Sequence, residues 1–168
     1  MQDPGAILGP FVSEGMTVLE PGPGMGFFTL ELARRVGPQG RVLAIDVQGK
    51  MLESLVKRAA KAGLAERINA RLPRGRGEHL GIENFAGQVD FALAFAMVHE
   101  VPCPAALFGD IYAALKPGGK LLFAEPTGHV GAEEFEASAE QARKVGFVVE
   151  SRPTIWRSRA AVLVRPNH

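Results

Sequence analysis

Cysteine is almost absent from this sequence. Cys103 is the single one in 168 residues, which excludes an internal disulfide and a Cys-x-x-Cys metal site. Long apolar runs are missing as well, since no stretch approaches the ~20 residues that a bilayer span requires. The start, Met1-Gln2-Asp3-Pro4-Gly5, has neither the basic nor the apolar region of a secretory signal. Neither sign of charge prevails. Lys and Arg number 19 against 18 Asp and Glu, a net charge of +1, so no global field draws the chain to nucleic acid or to an anionic membrane. These absences leave a chain expected in the cytoplasm, with neither membrane nor nucleic acid as its partner.

What is present is ordinary for a globular protein, with 46% apolar and 22% charged residues. The length suits one domain over residues 1–168. Such a domain buries roughly two-thirds of its unfolded surface and folds without covalent or metal staples. Apolar strand-like runs fall at 17–20, 41–46, 68–72, 89–95, 120–125, 146–150 and 160–165. Helix-like stretches fall between them at 27–36, 48–62, 104–115 and 132–145. The stretch 48–62 repeats Met51, Leu52, Leu55, Val56 and Ala59 at helical spacing, with Lys50, Glu53, Lys57 and Arg58 on other faces. Strands as apolar as Phe91-Ala92-Leu93-Ala94-Phe95 belong inside a mostly parallel sheet covered on both faces. The last two runs lie only about nine residues apart, around Pro153. That is too short for a parallel crossover, so they pair antiparallel at one sheet edge.

Chemistry concentrates in the first loop. Glu20-Pro21-Gly22-Pro23-Gly24-Met25-Gly26-Phe27-Phe28 reads as a strand end, a glycine loop and a helix start, where backbone approaches a ligand closely. A dinucleotide fingerprint of the G-x-G-x-x-G type needs a third small residue at 27, and Phe27 stands there. Glu20 would repel a pyrophosphate and attract an ammonium group. Asp46 ends the second strand, 20 residues after Gly26, where such folds place a carboxylate that accepts ribose hydroxyls. A ligand with an amino-acid end beside Glu20 and a ribose beside Asp46 is S-adenosyl-L-methionine. The bland alternatives are that the glycines only turn the chain, that Asp46 only caps the helix from Gln48, and that Met51 belongs to the core.

With these residues in order, the chain resembles the class I S-adenosylmethionine-dependent methyltransferases over nearly its whole length. The glycine motif 20–26, the ribose-binding strand end 42–46 followed by Val47, the fourth-strand motif 89–93 and the turn 115–123 into strand five carry the resemblance. Phe27-Phe28-Thr29, Asp46-Val47-Gln48 and Val98-His99-Glu100 look most like small-molecule enzymes of the ubiquinone/menaquinone-biosynthesis type. The resemblance implies a Rossmann-like α/β fold, a seven-stranded mostly parallel sheet of order 3-2-1-4-5-7-6 with strand seven antiparallel and helices on both faces. It implies a methyltransferase that moves the methyl group of S-adenosylmethionine to a small-molecule acceptor by in-line displacement. The cofactor-binding set it implies is Glu20, Gly22, Pro23, Gly24, Gly26, Phe27, Asp46, Val47, Gln48, Met51, Glu78, Phe95 and Ala96, with no metal.

Two departures stand out. The stretch Leu72-Pro73-Arg74-Gly75-Arg76-Gly77-Glu78-His79 is basic where the family places an acid against the adenine amino group, and Glu78 is the candidate to supply that contact. Only about 15 residues precede the first strand, and the link from 125 to 132 is short, so the substrate lid is minimal.

His99 follows the fourth strand, at the sheet end where ligands bind, and is the candidate general base; its bland reading is a loop histidine satisfied by solvent or by Glu100. Cys103 lies between Pro102 and Pro104 with nothing beside it to mark a nucleophile, and His79 has no evident functional partner. Trp156 with Arg152, Arg157, Arg159 and Arg165 forms either an exposed hairpin face or an anion contact. Ala96-Met97-Val98-His99 lacks the Asn/Asp-Pro-Pro-aromatic run of enzymes that methylate exocyclic base nitrogens. Two rival functions remain. One is an S-adenosylmethionine-binding protein that is inactive alone or completed by a partner, a homo-oligomer included. The other is an NAD-dependent oxidoreductase, opposed by Phe27 and by the lack of a Tyr-x-x-x-Lys pair.

Overall fold

The structure, a computed structural model, describes residues 3–167. The strands are β1 (Thr17–Pro21), β2 (Arg41–Ile45), β3 (Ile68–Arg71), β4 (Val89–Phe95), β5 (Leu115–Pro126), β6 (Val148–Ser151) and β7 (Ser158–Val164). The helices are α1 (Pro4–Leu8), α2 (Thr29–Val36), α3 (Gly49–Lys61), α4 (Pro104–Ala114) and α5 (Ala132–Val145). All seven strands join one sheet in the order β3-β2-β1-β4-β5-β7-β6. The pairings among β1 to β5 are parallel, whereas β7 runs antiparallel to both β5 and β6. Sheet order and the antiparallel edge match the sequence expectation.

Strand side chains alternate between the two faces, and here both faces are apolar. Val18, Val42, Phe91, Leu93, Leu122, Ala124 and Val162 point to the side of α1 and α2, where Leu8, Phe28, Leu32 and Val36 cover them. Ala44 meets Leu52 and Leu55 of α3. Their sequence neighbours Leu19, Leu43, Ile45, Ala92, Ala94, Leu121, Phe123 and Leu163 point the other way, onto Phe108 and Ile111 of α4 and Phe135 and Ala142 of α5. Two-sided burial of this kind makes the middle of each central parallel strand continuously apolar, with polar residues such as Thr17, Glu20, Asp90 and Glu125 at or near the strand ends.

Several boundaries differ from the sequence reading. The helix expected from 27 begins at Thr29, because Met25 to Phe28 are taken up by the glycine turn. A short helix at Pro4–Leu8 went unforeseen. It starts on Asp3, whose Oδ1 accepts the Gly5 N–H at 3.0 Å, and it buries Ile7 and Leu8. Within α3, Val56 is 48% exposed while Leu52, Leu55 and Ala59 are buried. β5 reaches back to Leu115, with Lys116 to Gly119 bulging between the Val89↔Leu115 and Phe91↔Lys120 pairs; Gly118 N–H and Gly119 C=O hold the bulge to the Arg165 backbone. No α-helix links β3 to β4. A 3-10 turn at Glu83–Phe85 fills that crossover and buries Phe85.

The C-terminal arginines are dispersed by their own structure. Arg165 donates Nη1 to the Tyr112 and Leu115 carbonyls at 2.9 and 2.7 Å, satisfying the end of α4, where cations are favoured. Arg152 pairs with Glu136 at 2.5 and 3.1 Å, Arg159 donates to the Val130 carbonyl, and Arg157 lies 4.4 Å over the Trp156 ring. Arg152 and Arg159 line one cavity beside α5, each held by a partner of its own.

Phe123 sits at the centre of this packing, stacked on Phe135 at 4.6 Å and edge-on to Phe108 at 5.5 Å. Truncation to alanine leaves a cavity that rigid strands on both sides cannot close. Phe123→Ala is expected to lower unfolding free energy by about 3–5 kcal/mol, measured by urea titration with an unchanged slope.

Candidate functional site

The parallel strands all deliver their C-terminal ends to one edge of the sheet, where ligands bind in open α/β folds. A cavity of about 420 Å³ opens there, lined by Pro21, Gly22, Gly24, Ile45 to Gln48, Met51, Pro73, Gly77, Glu78, Leu80, Phe95 to Met97, and Glu100 to Cys103 with Leu107 and Asp110. Of the sequence candidates, Gly22, Gly24, Asp46, Val47, Gln48, Met51, Glu78, Phe95 and Ala96 meet at this wall. Glu20, Pro23, Gly26, Phe27 and His99 are not part of the lining.

Asp46 organises the rim. Its Oδ2 accepts the Gly24 N–H at 3.1 Å and its Oδ1 the Gln48 N–H at 2.9 Å. One carboxylate thus closes a turn onto Gln48, the residue before α3, and ties the glycine loop to the end of β2, with the Gly22 N–H to Ile45 C=O bond at 2.8 Å beside it. Each oxygen keeps a second lone pair for a ligand donor. The helix is not capped by Asp46, since Gln48 is its N-cap and no described side chain bonds its first turn, and the turn that Asp46 closes leaves the binding role open.

The three glycines of the loop serve different ends. All have positive φ, at 69, 59 and 97° for Gly22, Gly24 and Gly26. A Cβ on Gly22 would meet Met97 Cβ at 2.8 Å and one on Gly26 would meet Leu55 Cδ1 at 2.5 Å, while one on Gly24 would meet nothing within 4 Å. Gly22 and Gly26 are closed packing contacts, and Gly24 faces the open space of the cavity. Ala96, at the end of β4, holds φ +57° without being glycine, a conformation that costs of order 1–3 kcal/mol and collects at functional sites.

On the β3 side, the loop 74–79 is closed by the Arg74 N–H to His79 C=O bond and by an Arg74–Glu83 ion pair. The Glu78 carboxyl is held below its usual range by its own backbone N–H and by that of Arg76. Asp110 of α4, which the sequence reading missed, anchors this loop by accepting the Leu80 N–H at 2.9 Å and facing His79 Nδ1 at 3.2 Å. Nothing in the sequence marks an acid in mid-helix for that task. Phe27 is 49% exposed and stands edge-on to Phe28, which packs on Phe95 at 4.6 Å, so its link to the cavity is indirect.

Glu125, at the end of β5, was also missed. Its carboxylate is buried, accepts the Val98 N–H at 3.0 Å through Oε1 and bonds His99 Nδ1 through Oε2. A signal existed, since β1, β2 and β5 all run into an acid at their C-terminal ends. His99 is thus paired with Glu125 through Nδ1 and also faces Glu100, whose Oε1 is 3.7 Å from Nε2.

Glu20 is only 3% exposed and accepts the Thr29 hydroxyl at 2.5 Å. Burial, partly offset by that bond and reinforced by the nearby Asp46 charge, pushes its carboxyl up to about 7. A raised folded-state value makes the stabilisation complete below about pH 4.5 and lost as pH rises through 7. The Glu20→Gln variant removes that ionisation. Relative to wild type, its stability is expected to gain about 3 kcal/mol between pH 4.5 and pH 8, read from urea midpoints across that range; parallel curves would contradict the assignment.

Comparison with known proteins bears on the same residues. The family model described as "Methyltransferase domain" matches residues 12–156. An arsenite methyltransferase of Halobacterium salinarum is 31% identical over 114 residues, 68% of this chain and 28% of that protein. A demethylmenaquinone methyltransferase of Lactococcus lactis is 28% identical over 125 residues, 73% of this chain and 48% of that one. The chain therefore spans less than half the length of these curated relatives. Among solved structures, a SAM-dependent methyltransferase from Aquifex aeolicus superposes with a TM-score of 0.83 at 24% identity, covering 97% of this chain and 89% of that one, which supports the fold. With a matched segment that runs from the residues before β1 to those before β7, and with the glycine loop and Asp46 inside it, this chain belongs to the methyltransferase domain family.

Proposed function

We propose that the chain binds S-adenosyl-L-methionine at the C-terminal edge of the sheet and transfers its methyl group to a small-molecule acceptor, acting as a single domain in the cytoplasm. The observation that carries this reading is Asp46, held at the cavity rim by two backbone donors with acceptor capacity to spare. Three features fit the cofactor. The cavity, about 420 Å³, lies in the range of small-molecule sites. Gly24 opens onto free space at the loop where ligand backbone contacts form. Asp46 is the acceptor that a ribose diol needs.

The bound cofactor supplies a sulfonium-activated methyl group, so the hard chemistry is its own. The chain's residues orient and enclose. Asp46 accepts the ribose hydroxyls, Val47 and Met51 provide apolar surface beside them, and Gly77 with Glu78 bounds the adenine side. Phe95, Ala96 and Met97 wall the cavity at the end of β4, keeping water from the methionine end and fixing the line along which an acceptor approaches. Glu20, behind the wall, attracts a nearby ammonium as it ionises, and that ammonium in turn favours its charged form. His99 is the general base for a hydroxyl acceptor.

The substrate named for either relative belongs to that relative, and the acceptor here is a small molecule of undetermined structure. A second reading, in which a partner or a second copy completes the acceptor site, is favoured by Met25 and Phe27, 48% and 49% exposed beside the glycine loop. No described helix is long and apolar enough to cross a membrane.

Isothermal titration tests the reading. S-adenosylmethionine and S-adenosylhomocysteine are expected to bind, and NAD is not. Asp46→Ala loses hydrogen bonds to an ionised group and is expected to weaken both adenosyl ligands by about 10- to 100-fold. Binding of NAD in their place, or indifference to the substitution, would refute it.

A further inference from the structure

Glu125 takes no part in the cofactor cavity, yet it is the most deeply buried carboxylate at this edge of the sheet, 1% exposed. Both of its oxygens serve the turn after β4. Oε1 takes the Val98 N–H and Oε2 takes His99 Nδ1, and His99 is its ion-pair partner among the described residues. That turn is otherwise strained, leaving β4 through Ala96 at φ +57° with the Ala96 N–H fixed to the Ala124 carbonyl at 2.8 Å. The His99 ring is held on its face as well, stacked parallel to His129 at 6.1 Å, and His129 belongs to the turn that follows Glu125.

With Oε2 as the acceptor, the hydrogen between Glu125 and His99 resides on Nδ1, and in the neutral ring Nε2 then carries the lone pair. The His99 side chain retains 22% exposure against 2% for Glu125. The accessible edge of the ring is therefore the one away from the carboxylate. Nε2 lies 3.7 Å from Glu100 Oε1, and Glu100 lines the cavity.

We propose that Glu125 is a positioning residue that fixes His99 as its Nδ1–H tautomer and presents Nε2, beside the cavity-lining Glu100, as the acceptor of a hydroxyl proton. The proposal rests on the methyltransferase reading above. In that reaction the acceptor's hydroxyl proton passes to Nε2 and the oxygen electron pair forms the new bond to carbon. The carbon–sulfur pair stays on sulfur, and the positive charge lost there reappears on the imidazole.

Glu125→Gln separates positioning from simple tying of the turn. The Val98 N–H demands an acceptor, so the glutamine oxygen serves Val98 and its NH₂ faces Nδ1, which forces the Nε2–H tautomer. The full chain labelled with ¹⁵N-histidine, observed by long-range ¹⁵N–¹H correlation roughly two units above the ordinary imidazole pKa, reads this directly; His99 is assigned by its loss in His99→Asn. Wild type is expected to show Nδ1–H, and Glu125→Gln to convert His99 to Nε2–H with His79 unchanged. Carbethoxylation by diethyl pyrocarbonate, mapped by peptide mass, is expected at His99 in wild type and to fall severalfold in the variant. An Nε2–H tautomer in wild type overturns the proposal even if the variant does not fold, as does a wild type in which His79 reacts and His99 does not. An unchanged tautomer in a folded variant overturns it too. Titration of the wild type with S-adenosylhomocysteine tests the underlying reading separately, because the tautomer is set by Glu125 whether or not that ligand binds.

Discussion

A single carboxylate, Asp46, joins the parts of this molecule that have to meet. Its two oxygens hold the N–H of Gly24 and the N–H of Gln48, one from the loop after β1 and one from the start of α3. Without that bridge the glycine loop would lose its tie to β2 beyond the Gly22–Ile45 bond, and the cavity would lose one wall. Because charge-assisted bonds to backbone donors are stronger than neutral ones, the rim is fixed before any ligand arrives. Preorganisation of this sort lowers the cost of ordering on binding.

The sheet presents acids at the ends of β1, β2 and β5, and each does something different because its surroundings differ. Glu20 is shut behind the wall against Thr29, and burial raises its pKa to about 7. Asp46 sits on the rim and turns two backbone donors into a platform. Glu125 is buried under the turn after β4 and grips it at Val98 and His99. The same residue type at equivalent strand positions thus yields an electrostatic background, a binding group and a clamp. Distance from solvent and the local donors decide which.

The parallel sheet and its antiparallel edge were legible because two-sided burial keeps the middle of the central strands apolar, and because nine residues cannot make a crossover. Gly22, Gly24 and Asp46 were legible from their order around β1 and β2. What was hidden depends on contacts distant in sequence. Asp110 and Leu80 are 30 residues apart, and Glu125 and His99 are 26 apart. The arginines after 150 looked like one basic cluster, yet three of them answer to three separate elements, the end of α4, Glu136 of α5 and the Val130 carbonyl. Helix α1 escaped because five residues carry too little periodicity; Asp3 and the burial of Leu8 hold it.

The proposed binding mode seats the ribose of the adenosyl ligand on Asp46, beneath the open face of Gly24. A crystal structure of the protein grown with S-adenosylhomocysteine tests this most directly. Density is expected for the ligand in the cavity, with both ribose hydroxyls within hydrogen-bond distance of the Asp46 carboxylate and the Asp46 bonds to Gly24 and Gln48 intact. A ligand seated elsewhere, or one that displaces Asp46 from those two amides to bind, would contradict it.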